Sequence, residues 1–172
     1  MIADQSLLVG GVALGMWGVD RMTGDIDFAS AIPMKKLVKL FDEIGLPVEY
    51  KLGDLDDPVP WVISGILSVS ETSVPFQVLP LLHGMKIENG VYSPDGSVRV
   101  IGFDDLVRSK CGAGGPQDII DVSRLAMSYP HKMEFIKEVV RFFNVETLFE
   151  RCMTSDRLIR QHARRRLPGP TV

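Results

Sequence analysis

Leu7-Leu8-Val9-Gly10-Gly11, followed by Arg21-Met22-Thr23-Gly24-Asp25-Ile26-Asp27-Phe28, is the stretch that decides the fold. A short apolar run breaks at a glycine pair. A second run follows in which polar and apolar residues alternate. Alternate residues of a β-strand share one face, so a strand over Gly24 to Ala29 presents Asp25 and Asp27 together. Ile26 and Phe28 then turn toward a core. Two carboxylates on one face repel each other unless a cation lies between them, and an oxygen-only pair suits Mg2+ or Mn2+. Glycines at the end of a strand let backbone N–H groups close on a phosphate. Together these residues describe a metal-nucleotide site.

Outward from this stretch the pattern stays mixed as far as Gly102. Ser6 to Val9 reads as a strand and Val12 to Trp17 as a short helix closed by Gly18. Pro33 opens a helix whose apolar residues Met34, Leu37, Val38, Leu40, Phe41 and Ile44 recur at helical spacing, and Gly45 stops it. Pro47 to Leu52 predicts a strand, and Gly53 to Pro60 an acidic loop. Val62 to Val69 and Val74 to Leu79 predict a hairpin around Glu71-Thr72-Ser73. Val98 to Ile101 reads as a short strand. Beyond Gly102 four helices are expected, over Asp104 to Cys111, Pro116 to Met127, Lys132 to Phe143 and Asp156 to Arg166, with Pro168-Gly169-Pro170 as a tail. The expected class is α+β: a mixed sheet flanked by helices over 1–102, and a helical region over 103–172 packed on it.

Composition narrows the function. The 172 residues suit one domain with a small appended part, and the net charge of −3 excludes a global basic signature for nucleic acid. Cys111 and Cys152 are far apart and fit no metal spacing, so they read as thiols in a reducing cytoplasm. No apolar run reaches about 20 residues, the length of a membrane span. Met1 to Gly15 lacks a basic n-region and is not read as a signal peptide. A dinucleotide-binding reading of Gly10-Gly11 … Gly15 fails on spacing, since that fingerprint needs G-x-G-x-x-G.

These residues resemble the DNA polymerase beta-like nucleotidyltransferase superfamily. The resemblance is nearest to its bacterial branch related to toxin–antitoxin and abortive-infection systems. A second block supports it: Asp104-Asp105-Leu106, Lys110, then Gly115-Pro116-Gln117-Asp118-Ile119-Ile120-Asp121. The likeness spans roughly Leu7 to Leu125. It implies that Asp25 and Asp27 are catalytic and hold Mg2+ or Mn2+. It implies that Gly10, Gly11, Arg21, Thr23 and Lys110 bind a nucleoside triphosphate. The implied reaction moves a nucleoside monophosphate to a hydroxyl of RNA, protein or a small molecule. An antitoxin-like partner protein is implied as well.

Two positions depart from the family's pattern. The family places a third carboxylate on a later strand, and here Gln77 of Val74-Pro75-Phe76-Gln77-Val78 occupies that place. An amide offers a carbonyl oxygen but no charge and no basicity. Gly115 stands where the family has an arginine before proline. Glu49 and Glu71 are the acids that could stand in for the third one. These departures support a second reading, a catalytically weak or inactive relative that binds nucleotide, a partner or nucleic acid.

Other residues read more plainly. Asp118 and Asp121 share one helix face and suit a structural role. His83, His131 and His162 have no ligand spacing. Trp17 and Trp61 are packing residues. Arg164-Arg165-Arg166 reads as a solvated helix end, with a grip on nucleic acid as the sharper alternative.

Overall fold

The alternation and helical spacing read above are realised in a computed structural model that describes residues 3–53, 59–82 and 84–155. Strand β1 (Ser6–Val9) leads directly into helix α1 (Gly10–Met16). Strand β2 (Ile26–Ser30), helix α2 (Met34–Glu43) and strand β3 (Val48–Leu52) follow. The hairpin β4 (Trp61–Val69) and β5 (Thr72–Pro80) comes next. Two-residue strands β6 (Val91–Tyr92) and β7 (Arg99–Val100) complete the sheet. Helices α3 (Phe103–Ala113), α4 (Pro116–Ser128) and α5 (Met133–Phe142) follow, then α6 over 146–155. The fold is α+β. The expected helix over Asp156 to Arg166, the arginine run, His83, His162, the proline-glycine tail and most of the acidic loop lie outside the described residues.

By its internal contacts the chain divides into two compact units, Met1–Ser109 and Lys110–Val172, with the division inside α3. The sheet belongs to the first unit. Its strand order is β3-β4-β5-β2-β1-β7-β6. β1 runs antiparallel to β2 and parallel to β7, while β2 runs parallel to β5. β4 is antiparallel to both β3 and β5.

Both faces of the sheet bury apolar residues: Leu7 and Ala29 on one side, and a cluster under α2 on the other. Ile32, Leu37, Phe41, Ile63, Phe76 and Val78 form one buried cluster. α2 covers it because Met34, Leu37, Val38 and Phe41 fall on one side of the helix, leaving Lys35, Lys36, Lys39 and Glu43 exposed. Phe41 and Phe76 meet edge to face with ring centroids 5.7 Å apart. Gly45, at φ +70°, ends the helix where a side chain would be strained. Trp17 secures α1 by donating its Nε1–H to the Ile101 carbonyl at 3.0 Å and packing edge-on against Phe103.

Two local expectations change. Gly24 and Asp25 form a bend ahead of β2 and are not its first residues. The Thr23 hydroxyl bonds both the backbone carbonyl and the carboxylate of Asp25, which favours a turn over a ladder. The β4–β5 turn lies at Ser70-Glu71, with Ser70 at φ 56°, and Thr72 and Ser73 belong to the strand.

Candidate metal-nucleotide site

The site forms where β1 ends beside β2. Val9, the last residue of β1, pairs with Asp27, so the next residue, Gly10, lies against the Asp27 side chain. A Cβ on Gly10 would fall inside the Asp27 carboxylate, and Gly10 also has φ +65°. A Cβ on Gly11 would stand 2.8 Å from both Cβ and Oγ1 of Thr23. The glycine pair is thus required by close approach as well as by backbone conformation. Thr23 Oγ1 in turn donates to Asp25 Oδ1 at 2.9 Å. Gly10 with Asp27, and Gly11 with Thr23 and Asp25, make one contiguous group. Both carboxylates are partly open to solvent. Arg21 lies in the connection between α1 and β2, partly buried, with fully exposed Met22 beside it.

Register decides what accompanies Asp27. Gln77 is its direct partner across the parallel β2–β5 pair, Ser64 is the partner of Gln77, and Glu49 is the partner of Ser64. Cα partners share a face, so one polar row, Glu49-Ser64-Gln77-Asp27, crosses the side of the sheet opposite the α2 core. Phe76 and Val78 are buried on the α2 side while Gln77 is exposed, as the alternation predicts.

Neither candidate substitute acid reaches the pair. Adjacent strands lie about 4.8 Å apart, which puts Glu49 roughly 14 Å from Asp27. Glu71 sits in the β4–β5 turn, six residues before Gln77, or about 20 Å along the strand. Among the described residues no three His, Cys, Asp or Glu side chains are grouped so as to hold a metal ion. What the cluster offers is one pair of carboxylates beside the first backbone N–H groups of a helix, where donors lack partners within the helix. That donor set fits a single hard divalent cation carrying phosphate oxygens as its remaining ligands.

Lys110 belongs to the other unit and is engaged there. Its Nζ lies 2.7 Å from Asp118 Oδ1 and 3.0 Å from Asp121 Oδ2, and the Asp121 side chain is wholly buried. Gln117 Nε2 donates to the other oxygen of Asp121 at 3.1 Å. Two carboxylates thus face a buried ammonium. Asp105 is likewise employed locally: it is buried and accepts from the Lys86 N–H and from Asn89 Nδ2. Gly115 is the N-cap of α4. Sequence reasoning missed the row beyond Gln77. The alternation places Ser64 and Glu49 on outward faces, but only strand register aligns them with Asp27.

Neither a protein-family model nor a curated protein matches the chain. Among the solved structures similar to it are two from Helicobacter pylori. The crystal structure of JHP933 from Helicobacter pylori is 10% identical, covers 92% of this chain and 90% of its own, and has a TM-score of 0.40. The structure named "putative nucleotidyltransferase from H. pylori" is 11% identical, with coverage of 88% and 87% and a TM-score of 0.40. No described helix is long and apolar enough to cross a membrane.

Proposed function

We propose that the chain is a nucleotidyltransferase-like protein that binds a nucleoside triphosphate together with a divalent cation at Asp25, Asp27, Gly10 and Gly11. The observation that carries this reading is the close approach of the glycine pair to Asp27 and Thr23, which leaves no room for side chains at residues 10 and 11. Asp25 and Asp27 hold the cation, Gly10 and Gly11 offer N–H groups to phosphate oxygens, and Thr23 orients Asp25 through its hydroxyl. When bound, the cation neutralises charge on the phosphates. In the proposed transfer the acceptor oxygen bonds the α-phosphorus and the bond from that phosphorus toward the β-phosphate breaks. Pyrophosphate leaves and the hydroxyl proton passes to solvent. Arg21 supplies a further positive charge on the same connection. RNA ends, protein side chains and small molecules are the acceptor classes with a suitable hydroxyl.

A second reading has its own observation. Gln77, opposite Asp27, is neutral, which favours nucleotide binding with slow or no transfer. Labelled-triphosphate transfer to a cellular extract separates the two readings. Binding is the shared prediction: titration calorimetry with Mg2+ and a triphosphate shows heat in the wild type and none in Asp25→Ala or Asp27→Ala. Equal binding by these variants contradicts the site.

A further inference from the structure

We infer that this site holds one divalent cation where a paired-cation site would hold two, and that Gln77 stands in the second cation's place as a neutral hydrogen-bonding group. The inference rests on the nucleotide reading above. Its starting point is register. Gln77 is the Cα partner of Asp27 across β2 and β5, and both side chains lie on the face opposite the α2 core. Facing Cβ atoms of directly paired strand residues are about 5 Å apart. An acid at residue 77 would therefore join Asp27 around a shared ion, as paired cations about 3.5–4 Å apart require. The amide that is present adds no charge.

Among the described residues no other acid supplies it. The next acid along the row is Glu49, three strands from Asp27. Repulsion between two dications is four times that between unit charges at the same distance. Asp25 and Asp27 carry only two negative charges against it. A first cation is held by both acids and by phosphate oxygens. A second would share Asp27 and find only an amide oxygen beyond it. The amide can still hydrogen-bond an acceptor hydroxyl through its oxygen or its NH2 group. Gln77 is thus a positioning residue that orients the acceptor and does not remove its proton.

The test is electron paramagnetic resonance of Mn2+ bound to the full chain, with a non-hydrolysable analogue of each common ribonucleoside triphosphate in turn. The wild type is expected to retain Mn2+ with the spectrum of an isolated ion. Gln77→Asp is expected to show the exchange-coupled spectrum of a close Mn2+ pair. Gln77→Glu provides a second acid in case the aspartate weakens β5, and circular dichroism confirms that each variant folds. A coupled pair in the wild type overturns the one-cation inference and leaves the nucleotide reading standing. Uncoupled spectra in both folded acid variants overturn the place given to Gln77. Failure of the wild type to retain Mn2+ with any analogue overturns the nucleotide reading itself.

Discussion

Gly10 is constrained twice over. Its backbone is left-handed and its missing side chain is the space that Asp27 occupies. Gly10→Ala carries a conformational cost of about 1–2 kcal/mol and also pushes Asp27 away from its place. The expected result is a lower urea midpoint together with loss of Mg2+-triphosphate binding. Full binding at wild-type stability contradicts the packing described. The two cysteines differ for an equally local reason. Burial, aided by the charge of Asp118, pushes the Cys111 thiol up to about 12, whereas Cys152 on α6 is only half-buried. Thiolate is the reactive form, and on the order of one Cys111 in ten thousand carries it at pH 8. A thiol reagent at pH 8 is expected to label Cys152 first and Cys111 only after denaturation, with reactivity at Cys111 rising as the pH approaches 12. At this scale the place of Asp27 on a strand, between core-facing Ile26 and Phe28, was legible, because alternation depends on near neighbours. The employment of Lys110 was not, because its partners lie across a helix junction.

Elements were legible where punctuation was strong. Pro33 and Gly45 bracket α2, and Pro116 opens α4, at the positions their backbone preferences dictate. Helix α6 was missed, although Asn144 at φ 56° stops α5, and Leu148, Phe149 and Cys152 then give helical spacing. Strand β7 falls within the expected run Val98 to Ile101, whereas β6, at two residues, is too short for alternation to register. The junction of α3 and α4 is held by the Lys110, Asp118 and Asp121 cluster, and removing one partner of such a buried set costs about 3–5 kcal/mol. Lys110→Met is therefore expected to destabilise the chain by about 3 kcal/mol in urea denaturation, since it removes the Lys110 ammonium that lies 3.0 Å from the buried Asp121 carboxylate. Adding Asp121→Asn should recover part of that loss. A loss below about 1 kcal/mol from Lys110→Met, the range of exposed pairs, contradicts a structural role.

For the whole molecule, the α+β class followed from a mixed pattern that turns helical after Gly102. The strand order did not follow, because it is set by pairings distant in sequence. The parallel pairing of β2 with β5 decides the chemistry, since it brings Gln77 opposite Asp27 and leaves Glu49 and Glu71 out of reach. The proposed site joins Asp25, Asp27 and the glycine pair around one cation and its nucleotide. A nuclear magnetic resonance map of the full chain, titrated with trace Mn2+ and a non-hydrolysable triphosphate, tests it most directly. Broadening of backbone amides centred on Gly10, Gly11, Asp25 and Asp27, and extending to Gln77 before Glu49, is the predicted result. Broadening centred on any other acids, or none at saturating triphosphate, contradicts it.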